Sequence, residues 1–141
     1  MLEVRARGPV TERQIVEAEQ KLGIHLPEPY RSWMRRTGGG PPDQIYDIES
    51  VDGAVKTFVG LESTYNIVDQ YRGFDELLPR DLIRVAHGSG GTIALKVKGE
   101  DIGSVWWSDH DKADLLGAES PSHEYVTRLA DNFEAFLAMF D

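Results

Sequence analysis

The apolar residues of this chain change their spacing twice, and no other feature of the sequence restricts the fold as strongly. They recur every three or four positions between residues 11 and 37, as in helices, alternate between residues 44 and 108, as in strands, and return to helical spacing after residue 122. Helices at both ends of a strand meander predict an α+β fold: a mostly antiparallel sheet of about four to six strands, with an N-terminal helix pair and a C-terminal helix packed on it. The 141 residues have the usual size of one domain, so residues 1–141 are predicted to form a single unit.

Capping signals and apolar stripes predict where the helices lie. Thr11 followed by Gln14 is a capping box, and Gly23 is a favoured residue just past a helix end. Trp33 and Phe133 stand in the middle of apolar stripes, so we expect both side chains to be buried. The predicted helices cover residues 11–22, 28–37, 63–72 and 122–139.

Short β-rich runs with turn residues between them predict the sheet. Asp52-Gly53 joins two such runs, and this pair is typical of a hairpin. Residues 81–109 contain three more runs, separated by turns that contain glycine. Adjacent residues of a strand point to opposite faces, so Trp107 is expected to face the helices and Trp106 the other side. Either Trp106 stands on an open polar face, as a binding anchor does, or a second layer of loops covers it.

Two groups of motifs follow each other in the order of a known superfamily. The first is an acidic helix ending in "LGIHLP", followed by a short aromatic helix that stops at a glycine run. The second is a Leu-Pro pair, a strand, a glycine-rich turn and then "GSVWWSDH". The residues concerned are Ile15, Glu19, Leu22, Gly23, Leu26, Pro27, Tyr30, Gly38–Gly39, Leu78-Pro79, Gly88–Gly91 and Gly103–His110. Over about residues 11–140 the chain resembles the SMI1/KNR4 domain, also called the SUKH superfamily, except that Thr37-Gly38 replaces the usual Asn-Gly.

The resemblance implies a compact α+β domain that is used mainly for binding. Bacterial members of the superfamily look like immunity proteins, which neutralise toxins, many of them nucleases, and related fungal domains occur in regulators of the cell wall and of signalling. The function it implies here is a bacterial immunity protein that occludes the basic active-site groove of a cognate toxin. The alternative is a regulatory or scaffold domain of the same superfamily without a toxin partner.

The charge of the chain suits a basic protein as its partner. The formal net charge is −9, and residues 37–141 hold nineteen acidic against eight basic side chains. An acidic surface repels phosphate backbones, which argues against direct nucleic-acid binding, and it steers basic proteins towards itself. The alternative is that the negative charge only keeps the protein soluble and has no role in binding. The candidate partner-binding residues are Trp106 as an anchor and the acidic residues Asp43, Asp47, Glu49, Asp52, Asp109, Asp111 and Asp114.

No combination of residues in the sequence predicts catalysis, a metal site or a cofactor. Gly38–Gly40 follow a helix and precede two prolines, whereas a phosphate-binding loop follows a strand. The acidic run after Asp109 lacks the glycine and the glutamate of a calcium loop, and His110 has no evident nucleophile beside it. We therefore expect no enzymatic activity, and an enzyme built on Asp109 and His110 is the remote alternative.

The amino-acid composition also indicates in which cellular compartment the protein is expected. The absence of cysteine fits a reducing cytoplasm, and the N-terminal residues lack the apolar core of a secretion signal. No run of about 18 apolar residues predicts a transmembrane helix. The expectation is a cytoplasmic protein that does not bind membranes, and the sequence indicates no particular oligomeric state.

Overall fold

The computed structural model describes residues 1–61, 66–72, 78–115 and 123–140. Within these ranges lie one six-stranded antiparallel sheet, whose strands follow the order of the chain, and five α-helices, none of them long and apolar enough to cross a bilayer. The predicted α+β fold is therefore confirmed. The strands are β1 (Tyr46–Ile48), β2 (Gly53–Phe58), β3 (Leu82–Ser89), β4 (Gly91–Lys96), β5 (Val105–Asp109) and β6 (Val126–Ala130). The helices are α1 (Glu12–Leu22), α2 (Tyr30–Thr37), α3 (Ile67–Arg72), α4 (His110–Leu115) and α5 (Phe133–Ala138).

A buried carboxylate joins the two N-terminal helices. Glu19, on the last turns of α1, is only 6% exposed, and its Oε2 accepts the backbone N–H of Leu26 at 2.7 Å. Arg31 of α2 donates its Nη2–H to Glu19 Oε1 at 2.9 Å. Burial raises the pKa of Glu19, but the hydrogen bonds from Arg31 and Leu26 outweigh it, so the net pKa is lowered. The "LGIHLP" corner is therefore held by an internal ion pair and a backbone hydrogen bond.

Gly38–Gly40 lie where the chain passes between the N-terminal segment and the sheet. All three glycines have positive φ, and Gly38 ends α2 in the left-handed conformation. A Cβ at Gly39 would lie 2.5 Å from the carbonyl oxygen of Val59, and one at Gly38 or Gly40 would overlap backbone carbonyls of the N-terminal segment. The glycine run is therefore both a helix stop and a close backbone crossing, which only glycine permits.

One large apolar core fills the space between the sheet and the helices. Trp33 and Phe133 are 4% and 1% exposed, as predicted, and their ring centroids lie 4.9 Å apart. Phe58 of β2 contacts Trp33 at 5.0 Å between centroids, which ties the helices to the sheet. Fully burying an aromatic side chain such as Phe133 contributes about 2–3 kcal/mol to stability.

The C-terminal segment departs from its prediction. A helix was expected over residues 122–139, but Val126–Ala130 form β6, paired with β5, and the helix begins only at Phe133. The β-branched residues at the start of this segment favour an extended chain, and pairing with β5 satisfies their backbone groups. Asn132 then starts α5, because its side-chain oxygen accepts the N–H of Ala135 at 2.8 Å.

The predicted hairpin is confirmed, but its turn is longer than expected. Ile48 of β1 stands opposite Gly53 of β2, so Gly53 already belongs to the strand. The connection is a turn of 3₁₀-helix at Glu49–Val51, followed by Asp52 in the left-handed conformation with φ 52°. Aspartate tolerates this conformation better than most residues, which explains its place at the end of the turn.

Two segments differ from the prediction in how many of their residues are helical. No helix was predicted for the acidic run after Asp109, but it forms the short helix α4. Asp109 caps this helix, since its Oδ1 accepts the N–H of Lys112 at 2.9 Å. The helix predicted at residues 63–72 is present from Ile67 to Arg72, and residues 63–65 lie outside the described part of the chain.

Candidate partner-binding surface

Three turns share one end of the sheet, which places acidic residues from distant parts of the sequence at that end. The β1–β2 turn, the β3–β4 turn at Gly90 and the β5–α4 junction all lie at this end, because each strand of the meander reverses direction. Gly91 stands opposite Asp109, and the backbone N–H of His110 donates to the carbonyl oxygen of Gly90 at 3.0 Å. We call the resulting surface the acidic sheet end, consisting of Asp47, Glu49, Asp52, Asp109 and Asp111.

Several acidic residues in other parts of the protein have basic partners. Glu12 and Glu19 of α1 pair with arginines of α2. Two other carboxylates, those of Asp101 and Asp131, both pair with Arg128. Asp81, at the start of β3, lies 3.5 Å from Lys96 Nζ. Much of the acidic charge outside the acidic sheet end is therefore balanced within the molecule.

The carboxylates of the acidic sheet end carry a different pattern of contacts. Among the described residues, no ion pair or side-chain hydrogen bond involves Asp47, Glu49, Asp52 or Asp111. Asp109 has no ion pair there either, although one of its oxygens caps α4. The negative charge of this end is therefore not balanced by basic side chains of the described part.

Two residues from the predicted acidic set fall outside this surface. Asp43 precedes β1, where it accepts the Tyr46 hydroxyl at 2.6 Å and shares a surface pocket with Arg5 and Lys56. Asp114 belongs to α4, and its side chain is outside the described part of the structure.

A buried tryptophan lies directly beneath the acidic sheet end. Trp107 is 1% exposed and faces the core, as predicted from strand parity. A Cβ added to Gly53 or Gly88 would approach the Trp107 ring to 2.6 Å, and one at Gly91 would also overlap it. Glycines on β2, β3 and β4 thus make room for one indole ring. All three glycines were predicted as turn residues, and their shared contact with one indole ring is visible only in the fold.

Trp106 lies on the opposite face of β5, at a distance from the acidic residues along the strand. It is half-buried beside a small apolar cluster, and its Nε1–H donates to Ser104 Oγ at 2.8 Å. Lys96 Nζ and the guanidinium carbon of Arg128 lie 5.8 and 5.9 Å from its ring centroid. The predicted anchor therefore sits between two cations rather than among carboxylates. The apolar cluster beside it consists of Leu78, Leu82, Ala94 and Val126.

A comparison with protein families agrees with the motifs and the fold. The family model described as SMI1 / KNR4 family (SUKH-1) matches residues 9–139, which is nearly the whole chain. The chain belongs to the SMI1/KNR4 family. A search of curated proteins found no match.

Most residues that link this SMI1/KNR4 domain to its family are structural. Glu19, Leu22, Leu26, Tyr30 and Trp107 are all buried, and each holds a helix corner or fills the core. The acidic residues of the β1–β2 turn belong to none of the motifs that carry the resemblance. Family membership therefore accounts for the fold, whereas the surface must be interpreted from its own charges and contacts.

The histidine considered as a possible base has a buried partner in this SMI1/KNR4 domain. His110 Nε2 lies 3.1 Å from Thr92 Oγ1, and Thr92 is fully buried within β4. His87 stands opposite Thr92 on β3, and burial first, then the charges of Arg84 and His110, lower its pKa. A substrate has no access to a hydroxyl group at this depth. The contact instead fastens the start of α4 to the sheet.

Proposed function

We propose that this SMI1/KNR4 domain is an immunity protein, a non-catalytic module that neutralises a basic toxin domain by binding it. In this proposal the acidic sheet end covers the toxin's positively charged substrate groove and excludes nucleic acid. The observation that carries the proposal is the unbalanced charge of Asp47, Glu49, Asp52 and Asp111, which contrasts with the paired acids elsewhere.

The geometry of this surface supports a binding role for physical reasons. The carboxylates stand on short turns whose backbone is held by the sheet, so little backbone entropy is lost when a partner binds. A cluster of one charge sign steers a basic protein into the right orientation and raises the association rate. Trp106, on the neighbouring face, is proposed to contribute to the lifetime of the complex as an apolar anchor.

Co-expression with a candidate toxin tests the proposal. The candidate is a protein with a toxin domain encoded by a neighbouring gene, and the measurements are cell survival and direct binding of the purified proteins. We expect the wild type to protect cells, the double variant Glu49→Lys with Asp111→Lys to protect poorly, and Trp106→Ala to shorten the lifetime of the complex.

A matched control separates local from total charge. Glu17→Lys with Glu100→Lys changes the net charge equally, but Glu17 lies on α1 and Glu100 in the β4–β5 turn. Full protection by this control, together with loss in the test variant, supports the acidic sheet end. Absence of binding and protection by the wild type would reject the immunity role in favour of a regulatory domain.

A further inference from the structure

Strand β1 has one open side, which adjoins a groove. Within the described part of the chain it pairs only with β2, so β1 is an edge of the sheet. A groove of about 580 Å³ lies between this edge and the end of α5. Ile45 and Met139 on its walls are 81% and 43% exposed, so both offer apolar surface to a partner. Tyr46, Ile48 and Phe140 complete its apolar lining.

We propose that this groove binds an extended, basic segment of the partner protein, which joins the sheet as a further strand beside β1. The inference rests on the proposed function, because it names the part of the partner that is recognised. An exposed sheet edge offers unpaired backbone N–H and C=O groups to another extended chain. The side chains of that chain would then alternate between the two faces of the sheet.

The pattern of β1 specifies which residues the added strand needs. Tyr46 and Ile48 point into the core, where Phe140 packs on Tyr46 at 5.4 Å between ring centroids, whereas Asp47 points to solvent. Apolar residues of the partner therefore fit the side that carries Met139 and Phe140. Lysine or arginine fits the side of Asp47. Glu49, also in the groove, extends the negative charge towards the acidic sheet end.

The same charges argue against a second copy of this chain as the occupant. Antiparallel pairing of two β1 strands about Asp47 would place the two Asp47 carboxylates directly opposite each other. Each copy also carries a net charge of −9, so association of two copies brings like charges together. Before β1, Asp43 already accepts the Tyr46 hydroxyl and lines a pocket with Arg5 and Lys56, so the partner's cations are proposed to lie at Asp47 and Glu49.

A synthetic peptide provides a probe that does not depend on the toxin. The probe is a ten-residue peptide of alternating lysine and valine with blocked termini, added to the full chain and followed by amide NMR. We expect shifted signals and slowed hydrogen exchange at Tyr46–Ile48. Methylating alternate backbone nitrogens of the peptide, which prevents strand pairing but keeps charge and composition, is expected to weaken binding about tenfold.

Variants of the protein test the two components of the groove. Asp47→Lys and Met139→Asp are each expected to weaken peptide binding about tenfold, through lost charge attraction and lost apolar contact. Glu100→Lys, with the same charge change in the β4–β5 turn, is expected to leave it unchanged. Equal weakening by Glu100→Lys, or signal changes away from β1, would overturn the inference. So would a dimer of the wild type that pairs through β1.

The toxin complex distinguishes this inference from the proposed function. If the toxin binds and cells survive, but β1 amides exchange as fast as in the free protein, the groove is not the contact and the immunity role stands. If the peptide occupies β1 and no toxin binds, the groove is a peptide site and the immunity role fails. Slowed exchange at β1 in the toxin complex, lost with Asp47→Lys, supports both.

Discussion

At the scale of single residues, the carboxylate of Glu19 is the group whose replacement should cost most on the N-terminal helices. Removing one member of a buried ion pair leaves the other without compensation, so Glu19→Gln is expected to destabilise the fold by about 3 kcal/mol. Arg31 keeps its contact with Glu12, which limits the loss. Urea unfolding at neutral pH measures the effect. Glu17→Gln, a more exposed carboxylate paired with Arg13, is the control, and an equal loss there would contradict the prediction.

The same residue makes stability depend on pH. The pKa of Glu19 in the folded state is lowered from its ordinary value of 4.5, so its contribution is complete above that value and disappears as pH falls through the folded pKa. We expect the free energy of unfolding of the wild type to decrease from about pH 5 downward more steeply than that of Glu19→Gln. Parallel pH profiles of the two proteins would show that the carboxylate is not ionised and paired in the folded state.

The glycines above Trp107 give a second test at this scale. Gly88→Ala places a methyl group against the indole ring, and such overpacking costs about 1–3 kcal/mol. A Cβ there would also lie 2.9 Å from the carbonyl oxygen of Ala54, so Gly88→Ala should become less harmful, although not neutral, in a Trp107→Leu background. A double-mutant cycle of unfolding free energies measures this coupling. Additive effects would disprove the contact, and Ser89→Ala, at an exposed neighbour, is the control.

Residues of this kind show what a sequence can predict. Thr11 and Gly23 act on residues close to them in the same helix, so their capping roles could be predicted, and they are confirmed. The partners of Glu19 and Trp107 come from other helices and strands, so no local pattern reveals them. The glycine run after α2 was correctly predicted as a helix end, but its crossing beneath the N-terminal segment depends on the whole fold.

At the scale of elements, the C-terminal segment explains how a clear periodicity can mislead. Its apolar residues fit a helical stripe, yet β6 forms because the open edge of β5 offers a full set of backbone hydrogen bonds. Only the part beyond Asn132 becomes α5. The strands β1 to β5 were predictable because alternating apolar residues and flanking turn residues both indicated strands. In β6 the spacing of the apolar residues indicated a helix instead.

The short helix α5 should depend strongly on its cap. Asn132→Ala removes the side-chain oxygen that accepts the Ala135 N–H, and loss of such a cap costs about 1 kcal/mol. Thermal unfolding of the variant is the measurement. Asn132→Asp, which keeps an acceptor at the helix start, is expected to restore most of the stability. Equal losses in both variants would indicate that the cap is not the stabilising contact.

At the scale of the whole molecule, the meander topology determines which turns of the chain lie on the same surface. Alternate turns lie at the same end of the sheet, so residues 47–52 and 109–111 share that end, with the β3–β4 turn between them, although they are far apart in sequence. That much follows from the predicted topology. Which carboxylates lack basic partners does not, because pairing depends on where Arg31, Arg35 and Arg128 are placed in three dimensions. The role of the candidate residues in binding stays a prediction.

The acidic sheet end should act mainly on the rate of association with a basic toxin. Steering operates before contact and is screened by salt, with a Debye length of about 8 Å at 0.15 M. Glu49→Lys with Asp111→Lys is therefore expected to slow association about tenfold at low salt and to flatten its salt dependence. Asp109 is left intact, because its reversal would also remove the cap of α4.

Binding kinetics of the purified proteins across a salt series measure this effect, and the control is again Glu17→Lys with Glu100→Lys. If the two double variants slow association equally, the total charge steers the partner and the position of the acids is irrelevant. If neither does, the acidic sheet end is a solvated surface. If only the first variant associates more slowly, with little change in its dissociation rate, the charges that steer the toxin lie at the turns of β1–β2 and β5–α4. A long-range electric field changes the rate of encounter far more than it changes the stability of the bound complex.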